Sequence, residues 1–184
     1  MASGSDHGCN SIIIWDTNNW SIRAKITAHS AAVTSIVDLC DGQTLVSGSY
    51  DKKINVYNYK KSALLFSLPN NKSSVTSMLL NSARNKLVSC GFDSMMFVWG
   101  ITRDQTGVVE SISIERVIRN DSIVCCLNGS MLRPDIIVAG TKDGKIKFWN
   151  LDTGELEKTL SASSNLVIDM VLIERKAKPS TISY

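Results

Sequence analysis

The sequence predicts an all-β chain of repeated four-stranded antiparallel sheets, and three observations carry that expectation. Displaced against itself by 42 positions, the chain lays Val33-Thr34-Ser35 on Val75-Thr76-Ser77 and Leu45-Val46-Ser47 on Leu87-Val88-Ser89, with Asp51 on Asp93 and Tyr57 on Trp99. The apolar runs inside this period, such as Ile12-Ile13-Ile14-Trp15 and Leu166-Val167-Ile168, are all of strand length. Turn residues separate them at short intervals. A period of this size made only of short apolar runs marks β units that stack to bury their faces.

The chain opens inside a unit. Met1-Ala2-Ser3-Gly4-Ser5 reads as a second strand, a long turn over 6–11 follows, and Ile12 to Asp16 and Ser21 to Ile26 supply the third and fourth strands. The next unit reads as Val33 to Leu39, Thr44 to Ser49, Ile54 to Asn58 and Ala63 to Leu68, separated by Asp41-Gly42, Tyr50-Asp51-Lys52 and Lys60-Lys61, and closed by Pro69-Asn70-Asn71. A later copy repeats the scheme with Ile136-Ile137-Val138, the tight turn Lys142-Asp143-Gly144-Lys145, the strand Ile146 to Trp149 and the turn Asp152-Thr153-Gly154. Between Trp99 and Trp149 the period stretches to 50 residues. Taking Ile123 as the counterpart of Val75 puts six added residues in "GITRDQTGVVESISIERVI" and two between Ile123 and Ala139, where loops are expected because loops tolerate insertion. Val167 to Ile173 resembles another first strand. The expected division is a partial unit at 1–27, units at 28–68, 69–118 and 119–160, and a partial unit at 161–184.

Composition excludes several classes. The chain has 184 residues, of which 43% are hydrophobic and 20% charged, which is the balance of a folded domain and not of a disordered one. A formal charge of +3, with the bases scattered, is too small to imply a nucleic-acid footprint without clustering along one face. No run approaches the roughly 20 apolar residues of a membrane span. The N-terminus MASGSDHGCN lacks a basic stretch followed by an apolar one, so an intracellular chain, cytoplasmic or nuclear, is expected. Five cysteines in odd number without a CxxC pair fit reduced thiols, and His7 and His29 alone are too few for a histidine-rich metal site. No cofactor or metal is expected.

The stretches "IIIWD", "HSAAVTSI…LVSGSYDKKINVYN", "VTSMLL…LVSCGFDSMMFVWG" and "IIVAGTKDGKIKFWNLDTGE" resemble the WD-repeat family of β-propellers. The resemblance implies a ring of four-stranded blades. It also implies a structural tetrad in each blade: a histidine before the first strand, a strand serine, a turn aspartate and a strand aromatic. His29, Ser47, Asp51 and Tyr57 fill all four places, with Tyr57 standing for the usual tryptophan. Beside Ser89, Asp93 and Trp99 the histidine is replaced by Asn71. Before Asp143 and Trp149 the serine is replaced by Ala139.

Serine, histidine and aspartate are also the parts of a hydrolase triad. Ser47 lies inside an apolar strand run and not on an exposed strained turn, so the bracing role is the expected one. "GTKDGK" lacks the spacing of a phosphate-binding loop and reads as a hairpin turn.

The implied function is a non-enzymatic scaffold that binds other proteins or peptides. In the family, partners often bind on the face carrying the turn just before the aspartate. Carried over, this points to Tyr50, Phe92 and Lys142, and next to Ser30, Ala32, Lys72 and Ser74. Tyr50 and Phe92 are aromatics in turns that need none, which suits hot-spot residues. The alternative is an RNA- or ribosome-associated module using Lys52, Lys53, Lys142, Lys145 and Lys147. About four blades are expected: three whole and one shared by the two ends. They form a closed monomer, half of an eight-bladed homodimer, or part of a larger propeller whose other blades lie elsewhere.

Overall fold

The computed structural model describes residues 1–5, 10–27, 29–69 and 72–173. Among them are fifteen strands in one three-stranded and three four-stranded antiparallel sheets, each in simple sequence order. The first sheet holds β1 (Ala2–Gly4), β2 (Ser11–Trp15) and β3 (Ile22–Thr27). The second holds β4 (Val33–Asp38), β5 (Thr44–Ser49), β6 (Ile54–Asn58) and β7 (Ala63–Ser67). The third holds β8 (Val75–Leu80), β9 (Lys86–Gly91), β10 (Met95–Arg103) and β11 (Val109–Arg119). The fourth holds β12 (Val124–Gly129), β13 (Ile136–Thr141), β14 (Lys145–Asn150) and β15 (Leu156–Ser161).

Burial follows strand position. β5, β6 and β13 are buried at every residue: β5 and β6 lie between the first and third sheets, and the segment carrying Val167 covers β13 on the side away from the third. That explains why "TLVSGS" and "IIVAGT" show no apolar-polar alternation. The outermost β15 is exposed along its whole length and does carry charges. No helix among the described residues is long and apolar enough to cross a membrane.

The turn between second and third strands is built the same way in three sheets. The residue after the aspartate adopts positive φ: Lys52 at 70°, Ser94 at 61° and Gly144 at 80°. The amide two residues beyond the aspartate is then captured by a side-chain oxygen, Asp51 Oδ1 for Lys53 (2.9 Å) and Asp93 Oδ1 for Met95 (3.2 Å). In the fourth sheet Thr141 Oγ1 takes the Lys145 amide instead (3.2 Å), and Asp143 turns to the Thr141 hydroxyl at 2.6 Å.

Sheets meet at seams where a valine of one first strand sits on a glycine of the preceding sheet. A Cβ placed on Gly48 would stand 2.6 Å from Val75 Cγ1, and one on Gly140 would stand 2.7 Å from Val167 Cγ1, so both positions require glycine. Gly4 and Val33 form the same contact. The third seam differs: Cys90 stands opposite Ser77, where Gly48 stands opposite Ser35 and Gly140 opposite Cys126. Threonine hydroxyls cross two of the seams, Thr34 to the Val75 carbonyl (2.9 Å) and Thr76 to the Val124 carbonyl (2.7 Å).

Residues 167–173 dock on the fourth sheet in this manner. The Val167 amide donates to the Thr141 carbonyl (3.1 Å), as the Val33 amide does to Ser5 (3.4 Å). Among the described residues nothing pairs 167–173 with β1, which is the inner edge of the first sheet. Residues 6–9 of the predicted first turn, and 174–184 of the expected last partial unit, lie outside the described residues.

Two expectations about the stretched repeat are corrected. Val124, and not Ile123, is the counterpart of Val33 and Val75, because its Cα partner is Thr141 as theirs are Ser49 and Gly91. Nor do the residues added after Trp99 form a loop. They lengthen β10 and β11 to 9 and 11 residues, paired as a ribbon out to Arg103 and Val109. The ribbon folds back on the second sheet. Ile101 and Ile112 are buried in the cluster containing Leu39, and Arg103 Nη2 donates to the carbonyls of Leu39 (2.7 Å) and Arg84 (3.0 Å). The Val109 amide adds a bond to Asp41 Oδ2 (3.2 Å).

Candidate functional site

The four tetrad residues of the second sheet converge. Asp51 is held by its own loop, with the Lys53 amide on Oδ1 and the Ser30 amide on Oδ2 (3.0 Å). His29 Nδ1 lies 2.9 Å from Asp51 Oδ2, and Nε2 lies 2.7 Å from Ser47 Oγ. A carboxylate can only accept, so Nδ1 carries the proton and the neutral ring accepts the Ser47 hydroxyl at Nε2. Ser47 is bonded in turn to the Tyr57 phenol, which also accepts from Asn55 Nδ2 (2.9 Å). The donors align in one direction, from Asn55 through Tyr57, Ser47 and His29 to Asp51, an order in which each bond polarises the next.

Burial and charge set the protonation states. The His29 side chain is 0% exposed and that of Asp51 4%. Burial lowers the His29 pKa despite the opposing pull of Asp51, so the ring is neutral at neutral pH. For Asp51 burial acts upward, but the Ser30 and Lys53 amides and the His29 ring outweigh it and hold the carboxyl below its ordinary value. The distances are those of a hydrolytic triad. Yet Ser47 is 0% exposed in the middle of β5, its hydroxyl spent between His29 and Tyr57, and a substrate carbonyl has no approach to it.

The other sheets keep parts of the network. In the third, Trp99 Nε1 donates directly to Ser89 Oγ (2.9 Å), while Asp93 is exposed and holds only its turn; Asn71 lies outside the described residues. In the fourth, Ala139 leaves no hydroxyl, and the buried Trp149 Nε1 has no partner among the described residues. Asp143 there binds Thr141 and Lys145 (2.7 Å), which pull its carboxyl far down. The first sheet has a bond that sequence reading missed, from Trp15 Nε1 to Ser3 Oγ (2.9 Å). Ser3 precedes Trp15 by 12 residues where Ser47 and Ser89 precede their aromatics by 10, so the longer turn hid it.

The residues placed on the proposed partner face occupy one edge of the sheets. Tyr50, Phe92 and Lys142 hold one backbone position: their amides donate to the carbonyls of Ala32 (3.1 Å), Ser74 (3.3 Å) and Ile123 (2.9 Å). Tyr50 is 48% exposed and Phe92 51%, with ring centroids 5.9 Å apart and tilted by 33°. Phe92 and Lys142 line a pocket of about 410 Å³ with Ile123, Cys125 and Leu166. Ser30, Ala32 and Ser74 brace the turns beneath: the Ser74 hydroxyl donates to the Tyr50 carbonyl (2.9 Å) and Ser30 binds Asp51. Lys72 is exposed.

Of the five lysines considered for nucleic acid, Lys145 is paired with Asp143, and Lys147 is buried against Asp121. Lys52, Lys53 and Lys142 are exposed. Among the described residues no group of three or more metal-binding side chains is assembled. Burial raises the Cys125 and Cys126 thiols and pushes Cys90 up to about 12, which makes all three poor nucleophiles.

Antiparallel four-stranded sheets in series, each with a serine-aromatic or aspartate-turn element at the same register, define a repeat protein of the propeller class. The family model of the WD domain, G-beta repeat, matches residues 20–58, 62–100 and 114–150, and the chain belongs to this WD-repeat family. Among its relatives is COMPASS component SWD3 of Saccharomyces cerevisiae, 28% identical over 168 residues, covering 83% of this chain and 52% of the relative. The WD repeat domain-containing protein 83 homolog of Dictyostelium discoideum is 28% identical over 134 residues, 72% of this chain and 38% of the relative. Pre-mRNA-processing factor 19 of Bos taurus is 24% identical over 153 residues, 82% and 28%. The chain thus spans about half the length of these relatives or less.

Proposed function

We propose that this chain is a non-catalytic scaffold that binds protein or peptide partners through the edge bearing Tyr50, Phe92 and Lys142. The observation that carries the reading is the half-exposed Tyr50–Phe92 pair beside the pocket of about 410 Å³. Large aromatics clustered at a concave edge are what partner recognition uses, since they bury much area for little entropy. The relatives support a role inside assemblies, one being by its name a component of a larger complex. Ser47, His29 and Asp51 serve this role indirectly, by fixing the turn from which Tyr50 projects. Further blades, from elsewhere in a longer protein or from a second copy, would complete the ring around this edge.

The test is a Tyr50→Ala/Phe92→Ala variant with an unchanged melting temperature, compared with the native chain for the partners each retains in cells. Loss of the partners is expected. A folded variant that keeps them all overturns the reading.

A further inference from the structure

The opposite edge of the first two sheets carries a cavity of about 510 Å³ at their junction. Equivalent positions show why. The Tyr59 amide donates to the Gln43 carbonyl as Ile101 does to Asn85 and Leu151 to Asp135, so these three residues share one place in their sheets. Ile101 (9% exposed) and Leu151 (1%) fill that place with buried aliphatic side chains. Asp38, opposite Leu45, stands where Leu80 stands opposite Leu87 in the third sheet. At the second junction the lengthened ribbon adds Ile112 as a further plug. The first junction has no such ribbon, and Tyr59 and Asp38 line its cavity.

The lining has a definite chemistry. Ile14, Ile36 and Leu45 form an apolar floor, and Trp15 and Tyr59 supply aromatic surface. Asp16 and Asp38 also line the cavity, each carboxylate fixed by its own loop: Oδ1 of Asp16 accepts the Asn18 amide and Oδ1 of Asp38 the Cys40 amide, both at 2.8 Å. No described residue is recorded on either Oδ2. Arg23 stands at the same cavity.

We propose that this cavity is a binding site for a basic side chain, lysine or arginine, presented by a peptide. The methylene stem lies on the apolar floor while the charged head reaches the two prefixed carboxylates. Trp15 and Tyr59 add the attraction of an aromatic face for a cation. Arg23 repels a bare cation but suits a peptide, whose backbone carbonyls it can bind. The volume lies in the range of small-ligand sites and exceeds one side chain, leaving room for a flanking residue.

The site is independent of the Tyr50–Phe92 edge, and its test keeps the two apart. The isotope-labelled chain is titrated with acetyl-Leu-Arg-Leu amide and acetyl-Leu-Lys-Leu amide, followed by proton–nitrogen correlation spectra. Saturable shifts are expected at the Trp15 indole and the Asp16 and Tyr59 amides. The citrulline peptide should bind at least about tenfold more weakly. Asp16→Asn/Asp38→Asn, which keeps the oxygen that each loop amide needs, should fold normally and lose a similar factor. Tyr50→Ala/Phe92→Ala should bind as the native chain does. The proposal is overturned if neither basic peptide saturates by ~1 mM, if citrulline binds equally well, if the double asparagine variant binds undiminished, or if the shifts fall at Tyr50 and Phe92.

Discussion

The second and fourth sheets share one register and treat it differently. In the second, five polar side chains form an unbroken chain of donors ending on Asp51. In the fourth, Ala139 interrupts the chain and leaves the Trp149 indole buried without an acceptor among the described residues. Asp143 turns outward to Lys145, its side chain 36% exposed. The same fold therefore stands with or without the network. What the network contributes is local: it fixes one turn against one strand.

Removing Asp51 is the strongest way to test that contrast. Asp51→Ala leaves the buried His29 ring and Ser47 hydroxyl unpaired and should cost about 1–3 kcal/mol, read as a lowered midpoint in denaturant. An unchanged midpoint would mean that water replaces the carboxylate without loss.

Acid should attack the same place. His29 has a lowered pKa when folded and the ordinary value of 6.5 when unfolded, so its contribution is complete above that value and fades as pH falls through the folded pKa. Asp51, also lowered, contributes above its ordinary value and is lost at still lower pH, so both act in one direction. The melting temperature should begin to fall as pH drops below about 6.5. In His29→Asn that part of the decline should disappear.

Ala139→Ser repairs the fourth sheet. A hydroxyl at this position, equivalent to the Ser89 hydroxyl that accepts the Trp99 indole, gives the indole an acceptor and should stabilise by about 0.5–1.5 kcal/mol. A crystal structure of the variant should show the bond at a length like that of Trp99 to Ser89. Smallest of all is Asp143→Ala, which removes a screened ion pair and should change stability by about 0–1 kcal/mol. A loss as large as that of Asp51→Ala would abolish the distinction between the sheets.

The 42-residue period made the four-stranded sheets legible before any coordinates, because each strand and turn repeats at a fixed offset. The substitution of Ala139 similarly forecast a gap in the fourth sheet. Asn55 as the donor behind Tyr57 was not legible: a phenol accepts as well as donates, and the sequence does not say from whom. The added length of the ribbon was assigned to where loops are expected, although Ile112 and Ile114 of β11 alternate as a strand should. The cavity at the first junction escaped altogether. It is made by what Tyr59 and Asp38 fail to fill, and a void has no letter.

The valine-on-glycine seams carry a consequence for how such chains grow. Each seam is specified by two residues, one contributed by either neighbour, and is copied whenever the repeat is copied. A duplicated sheet therefore arrives with both halves of its joint already matched, and no new interface has to be invented. Cys90 shows the tolerance of this scheme: a residue with a side chain entered one joint, and the sheets on either side still closed over it.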